Sequence, residues 1–344
     1  MSLHNHETRQ AALLCRKAEQ KQFRGAFAKM KRIPVAVVAG PTASGKTKLA
    51  VSLCKALDGE VISADSMQIY QGMQIASAKP TLEEMDGVPH HLLDFQPLGK
   101  PFSVADYVEL AGKTVQNIHD AGKLPVIAGG TGLYIRSLLQ GIDFAPQNAD
   151  PAVRAELGAA EQREGIEPLY EELGRVDPQA AQAIHPNNKK RVIRALEMYR
   201  TTGRTMAENA ALSRRKESPY EACFLCLAFR DRQKLYDRIN QRVDSMLEAG
   251  LVQEAKEVFA SCGPTAVQAI GYKELQPYFR GTCSLEAAAE SIKRETRRYA
   301  KRQLTWFRRE ETAQWLWVDD YPDTAALAES ALQKVQLFLK GCSL

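Results

Sequence analysis

The sequence predicts an α/β fold: a parallel sheet flanked by helices, with a small all-helical insertion and a helical C-terminal region. Three observations carry that expectation. Short apolar runs recur at residues 33–39, 60–64 and 124–128 with helical patterns between them, the alternation that gives parallel strands joined by crossover helices. The first run leads into Gly40-Pro41-Thr42-Ala43-Ser44-Gly45-Lys46-Thr47 and then a helix pattern over 46–57. That string satisfies G-x-x-x-x-G-K-[ST], the phosphate-loop signature, so the sheet is expected to be P-loop NTPase-like. After Gly141 the character changes to acidic, proline-bounded helix patterns.

Each element follows in order. IPVAVVA (33–39) reads as a buried strand, and the glycine loop delivers the chain into a helix over 46–57. EVISA (60–64) reads as a second strand ending at Asp65-Ser66, followed by the polar loop MQIYQGMQIASAKP. LPVIA (124–128) is a third strand. Gly129-Gly130-Thr131-Gly132 and an apolar helix to Leu139 come next. Ligands of open parallel sheets bind at the carboxyl ends of strands. The glycine loop, Asp65 and the 129–132 turn all fall at such ends and are expected to surround one site. Asp150-Pro151 and Asp177-Pro178 each set an N-cap residue before a first-turn proline. A helix over 187–200 carries Val192, Ala195, Leu196 and Tyr199 on one face and Lys190, Arg191 and Arg194 on the other. EACFLCLAF (221–229) reads as another buried strand. Helices fill most of 231–310, and QWLWV (314–318) is a last strand. The organisation expected is a basic extension over 1–32, a helical insertion over 145–186, and a core formed by 33–144 and 187–344.

Composition bounds the function. The 344 residues are 44% hydrophobic and 25% charged, ordinary for a soluble globular protein. No run of about 18 apolar residues occurs, so no membrane span is expected. The net charge of +5 is small, but its distribution is uneven. Residues 150–178 are acidic. Residues 291–309 carry Lys293, Arg294, Arg297, Arg298, Lys301, Arg302, Arg308 and Arg309 against the single acid Glu295. Such a cluster is either a solvated face or a phosphate-contacting one. Seven scattered cysteines fit a reducing, cytoplasmic setting better than a disulfide framework. Cys223 and Cys226 form a C-x-x-C, but three residues apart on a strand they point to opposite faces.

The phosphate loop carries the first chemistry. Backbone N–H groups over Gly40–Gly45 and the following helix N-terminus surround phosphate oxygens, Lys46 adds a point charge, and Thr47 is the expected Mg²⁺ ligand. Phosphate loops usually serve hydrolysis or phosphoryl transfer, yet no clean apolar strand ending in a magnesium-holding Asp-Glu appears. VISADS is the nearest run. Its Asp65 is either a turn residue or a carboxylate placed for general-base work beside the phosphates. Thr131 is readable as a helix cap. Arg242 is readable as part of a solvated helix face.

The blocks GPTASGKT, ISADSMQIYQGMQIASAKP, VPHHLLD, AGGTGLYIRSLL, IHPNNKKRVIRALE and YAKRQLTWFR stand in the order found in tRNA dimethylallyltransferases, also called tRNA isopentenyltransferases. The chain resembles that family from about Ile33 to about Val318, and residues 1–32 lie outside the resemblance. The resemblance implies that the loop holds dimethylallyl diphosphate and that the bond broken joins carbon to oxygen. The acceptor it implies is N6 of the adenosine immediately 3′ of the anticodon, presented by the tRNA anticodon stem-loop, with the base leaving its stack to reach the donor. It makes Asp65 the base, sets Thr131 close to the reacting adenine, and gives Arg242 to the diphosphate with Lys46 and Thr47. tRNA contacts carry over to Asp65, Ser66, Met67 and Gln68, to Lys190, Arg191, Val192, Ile193 and Arg194, and to Gly263 and Gln268. They carry over also to Arg297, Arg298, Lys301, Arg302 and Gln303. His90 and His91 match a family block but are expected to serve packing or local hydrogen bonds. The protein is expected to act as a monomer with Mg²⁺. Two other readings compete: an adenylate isopentenyltransferase acting on free AMP, ADP or ATP, and a P-loop kinase of a nucleotide or small metabolite. A third, an RNA-binding protein that has lost activity, is opposed by intact Lys46, Thr47, Asp65 and Thr131.

Overall fold

A computed structural model describes residues 32–142, 150–213, 217–261 and 266–342. The basic extension over 1–32, Arg32 apart, lies outside the described residues. Two compact units divide the chain: Met1–Leu139 with Ser218–Leu344, and Gln140–Glu217.

The first unit begins with β1 (Ile33–Ala39), α1 (Lys46–Leu57) and β2 (Gly59–Ser63). It continues through α2 (Leu82–Met85), β3 (His90–His91), α3 (Val104–Asp120), β4 (Leu124–Gly129) and α4 (Gly132–Leu139). The helical unit holds α5 (Pro151–Glu164), α6 (Glu167–Val176), α7 (Pro178–Ala183), α8 (Lys189–Thr202) and α9 (Met206–Ser213). The first unit then resumes with β5 (Tyr220–Ala228), α10 (Arg232–Glu248), α11 (Leu251–Ser261) and α12 (Gln276–Phe279). It ends with α13 (Leu285–Phe307), β6 (Gln314–Trp317) and α14 (Thr324–Cys342). Where the chain leaves and re-enters this unit, the Ser218 hydroxyl donates to the Leu139 carbonyl at 2.5 Å.

The six strands form one parallel sheet in the order β3-β2-β4-β1-β5-β6. Alternation along β1 splits the core in two. Ala36 and Val38 pack with Leu49, Leu53 and Leu57 of α1 and with Leu327, Val335 and Leu339 of α14. Val35, Val37 and Ala39 pack on the other face with Tyr107 and Val115 of α3, Ile135 of α4 and Phe307 of α13. Burying a side chain of this size from water is worth about 1.5–3 kcal/mol, so the central strand is held from both sides. Cys223 falls in the first cluster and Cys226 in the second, the opposite-face placement that the strand period requires. Burial pushes their thiols up to about 11 and about 12. His90 and His91 form an edge strand. His90 Nδ1 meets the Val88 carbonyl and His91 Nε2 meets Glu60, so both serve local bonding.

The helical unit is larger than the sequence suggested. The expected insertion ends at 186, whereas the unit runs to Glu217. The cause is the apolar face of α8. Val192, Ala195 and Leu196 are buried against Leu157 of α5 and Leu169 and Leu173 of α6. Without α8 those helices would expose their shared core, so 187–217 belongs with them.

Candidate active site

The phosphate loop is fixed mainly by backbone requirements. Gly45 adopts φ +93° as the cap of α1, a conformation other residues reach only with strain. At Gly40 (φ +145°) a Cβ would lie 2.8 Å from the Leu227 carbonyl oxygen of β5. The Lys46 ammonium donates to the Pro41 carbonyl at 2.7 Å, folded over its own loop. The Ser44 hydroxyl is buried and has no partner among the described residues. A buried hydroxyl without a partner costs about 1–3 kcal/mol, and a phosphate oxygen is the acceptor that the loop's shape offers it.

Asp65 follows β2 at the carboxyl end of the sheet, as the sequence placed it. Its Oδ1 accepts the backbone N–H of Met67 at 2.9 Å and of Gln68 at 3.4 Å. These bonds fix the carboxylate through one oxygen, and no described residue donates to Oδ2. The Thr131 hydroxyl accepts the Ser66 N–H at 3.0 Å, while the Thr131 carbonyl accepts the N–H of Tyr134 and Ile135 in α4. Thr131 thus opens α4 and braces the Asp65 turn together. Its neighbours must be glycine for space: at Gly129 a Cβ would fall 2.2 Å from the Ala64 carbonyl, and at Gly132 it would fall 2.0 Å from the Trp306 ring.

Charge couples these pieces. Burial lowers the Lys46 pKa to about 8, opposed by the Asp65 carboxylate and assisted by the Arg242 guanidinium. Burial also lowers Arg242, against the pull of Glu84 and Asp65. Lys46, Asp65 and Arg242 therefore share one electrostatic site. That site can hold an anion with a phosphate loop and two cations, beside a carboxylate able to take a proton.

Four residues that the sequence reading passed over also belong here. The Arg238 Nε donates to the Ala43 carbonyl of the loop at 2.8 Å, with its guanidinium 5.8 Å from the Phe229 ring centroid. It lies four residues before Arg242, on the same helix face, which is the clue that was available. Tyr299 lies on α13, and burial raises its hydroxyl pKa far above the ordinary value. Four residues separate it from Gln303. Tyr134, stacked on Tyr107 with ring centroids 4.2 Å apart, is raised by burial and senses Asp65. Glu254 had no local signature at all. Its carboxylate accepts the N–H of Gln74, Ile75 and Ala76 and the Tyr272 hydroxyl, holding the polar loop after Asp65.

The residues expected to meet RNA divide into two groups. Lys301 and Arg302 are exposed on α13, and among the described residues no carboxylate pairs with either, although Arg302 stacks 5.7 Å from the Tyr299 ring. Arg298 is exposed and bonded to Glu295 at 2.6 Å. Lys190 and Arg191 are exposed on α8 of the helical unit, Ile193 is half-buried there, and Gln268 is exposed on the short turn Ala266–Gln268. Others are spoken for within the protein. Val192 is wholly buried, and Arg194 donates to the buried Glu197 at 2.9 Å. Arg297 donates to Asn240 at 2.6 Å. The Gln68 amide is bonded to Ser63 and to the Ala78 carbonyl, and Met67 packs on the cluster around Ile69. Gln303 is buried, with both ends of its amide used. Gly263 lies outside the described residues.

Comparison with known proteins bears on this arrangement. The IPP transferase family matches residues 68–310 of the chain. A tRNA dimethylallyltransferase of Halalkalibacterium halodurans is 49% identical over 295 residues, spanning 85% of this chain and 93% of its own. Among solved structures, the full-length tRNA isopentenylpyrophosphate transferase from Bacillus halodurans is similar with a TM-score of 0.68 at 44% identity, over 90% of this chain and 98% of its own. A eukaryotic dimethylallyltransferase acting on tRNA is similar with a TM-score of 0.74 at 28% identity, over 86% of this chain and 77% of its own.

Proposed function

The chain belongs to the IPP transferase family, and from that membership and the geometry above we propose how its residues divide the work. The enzyme is a tRNA dimethylallyltransferase, the activity its relatives carry by name. The donor we assign is dimethylallyl diphosphate, and the acceptor is N6 of the adenosine 3′ of the anticodon. The observation that carries the assignment is the phosphate loop, with Lys46 folded over it and the Ser44 hydroxyl unpartnered, beside the fixed Asp65 carboxylate at the carboxyl ends of β1 and β2.

In the step proposed, the adenine N6 attacks the allylic carbon, the carbon–oxygen bond to diphosphate breaks, and the N6 proton passes to Asp65 Oδ2. The amides of Met67 and Gln68 hold Oδ1, so the free oxygen faces a defined direction. The leaving diphosphate carries away the electron pair of the broken bond. The loop amides over Gly40–Gly45, Lys46 and Arg242 stabilise it electrostatically, and the Ser44 hydroxyl gains the acceptor it lacks. Lys46 donates one N–H to the Pro41 carbonyl and keeps two for the diphosphate. Thr47, in the first turn of α1 with no protein partner for its hydroxyl among the described residues, fits an Mg²⁺ ion shared with the diphosphate. That ion would supply further charge neutralisation.

The exposed Lys301, Arg302, Lys190 and Arg191 supply phosphate contacts that orient the tRNA without reading its sequence. Among the described residues no helix is long and apolar enough to cross a membrane. The free thiols at Cys54, Cys223 and Cys226 support a cytoplasmic setting. We propose that the enzyme acts as a monomer. The test is to incubate the enzyme with an anticodon stem-loop and dimethylallyl diphosphate, digest the RNA, and weigh its nucleosides. The expected product is N6-isopentenyladenosine. Prenylated AMP with unmodified stem-loop would overturn the reading.

A further inference from the structure

We propose that Gln303 is a positioning residue that sets the separation between the donor-phosphate loop and the acceptor-base turn, an inference that rests on the tRNA-prenylation reading. Its side chain is buried, at 5% exposure, one turn before the C-terminal end of the basic helix α13. The Oε1 atom accepts the Thr42 N–H of the phosphate loop at 2.9 Å. The Nε2 atom donates to the Gly130 carbonyl at 3.0 Å, one residue before Thr131. One amide therefore touches both half-sites. Tyr299, one turn earlier on the same helix, has its hydroxyl pKa raised by burial. Thr131 in turn accepts from Ser66 beside Asp65. The result is a connected path from the loop that holds the leaving group, through the Gln303 amide and the Gly130–Thr131 backbone, to the turn that holds the base.

The fit is tight enough to act as a spacer. A Cβ at Gly130 would stand 2.1 Å from Gln303 Nε2 and 3.6 Å from the Gly40 carbonyl oxygen, so the amide fills the gap between loop and turn. Turning outward to reach RNA would forfeit both buried bonds and leave the Thr42 N–H and Gly130 carbonyl without partners, each costing about 1–3 kcal/mol. A spacer of this kind acts on rate rather than on binding. Reacting atoms must come within about 3–3.5 Å, and a misplacement of about 1 Å can cost about 10²-fold.

The test compares wild type with Gln303→Leu and Gln303→Glu. It measures single-turnover prenylation of an anticodon stem-loop with both substrates saturating, separate titrations of dimethylallyl diphosphate and stem-loop, and the thermal midpoint of each protein. Gln303→Leu keeps the volume and removes both bonds. Its rate is expected to fall about 10²-fold while both dissociation constants stay within threefold. A protonated Glu offers a carbonyl acceptor and an O–H donor, as the amide does; an ionised one cannot donate to Gly130. The rate of Gln303→Glu relative to wild type is therefore expected to climb at least tenfold as pH falls from 8 to 5.5, an effect a bulk packing role would not produce. Gln303→Met replaces Gln303→Leu should the latter not fold. A leucine or methionine variant at wild-type rate overturns the proposal, as does a loss confined to stem-loop affinity, which would make Gln303 an RNA contact. Wild-type enzyme that fails to prenylate the stem-loop overturns the tRNA reading instead.

Discussion

The two halves of the site are built differently. The proposed donor half is built chiefly from one continuous stretch, Gly40–Thr47, whose groups are mostly backbone amides and whose shape comes from left-handed glycines, with Arg238 and Arg242 added from α10. The proposed acceptor half is assembled from three distant places, 65–68, 129–132 and Gln303, joined by side chains that bond across the fold. A half made of backbone is specified locally and is hard to damage by a single side-chain change. A half made of converging side chains depends on the tertiary structure that brings them together. The two should fail differently when perturbed.

The largest effect is expected in the acceptor half. Asp65→Asn keeps the shape and the bonds to the 67 and 68 amides through its remaining carbonyl oxygen, but cannot accept the proton. Single-turnover rates should fall about 10²–10⁴-fold, the range for a positioned acid or base, with stem-loop affinity within threefold. Rates within threefold of wild type would reject Asp65 as the base. In the donor half, Lys46→Ala removes one charge while the loop amides remain. Charge-assisted hydrogen bonds contribute about 1.5–3 kcal/mol, so the dissociation constant for dimethylallyl diphosphate should rise about 10- to 10²-fold. Stem-loop affinity should hold. Donor titrations that match wild type would show that the amides suffice alone.

How much of this was legible in the sequence follows from the same contrast. Gly40–Thr47 could be read directly because its geometry lies in residue types at fixed spacing. Asp65 and the 129–132 turn were legible through strand ends. The sheet's two-faced core followed from the period of β1. The role of Gln303 was not, because nothing in YAKRQLTWFR says which of its polar residues faces inward until α13 is docked. Glu254 was invisible for a similar reason: it bonds to amides about 180 residues away along the chain. The boundary at 186 was misplaced because a basic face on α8 drew attention from the apolar face that binds it to α5 and α6.

The basic face of α13 sharpens the comparison from outside the site. Of its cations, Arg297 is held by Asn240 and Arg298 by Glu295, while Lys301 and Arg302 are exposed without a carboxylate partner among the described residues. Changing Lys301 and Arg302 together to alanine should lower the salt dependence of stem-loop binding by roughly two units of log–log slope. The variant should then lose roughly tenfold less affinity than wild type between 50 and 200 mM salt. Arg297→Ala should leave that slope unchanged and lower the thermal midpoint instead. An unchanged slope in the double variant would move the RNA off this face.

The smallest effect is a pH dependence confined to the donor half. Lys46 carries its proton less firmly than a free lysine, chiefly through burial and then through the positive charge of Arg242, with Asp65 acting the other way; its pKa is lowered to about 8. If the charged form binds diphosphate as proposed, donor affinity should be full below that value and decline as pH rises through it. With one group titrating near pH 8, the protonated fraction falls about fourfold between pH 7 and 8.5. A phosphate's last proton leaves near about pH 6, so the ligand's own charge is steady over that interval. Donor titrations at those two pH values should therefore differ by about fourfold in wild type and by less than twofold in Lys46→Ala. Stem-loop binding should stay flat in both. A fourfold decline that survives in Lys46→Ala would assign the proton elsewhere and remove Lys46 as its source.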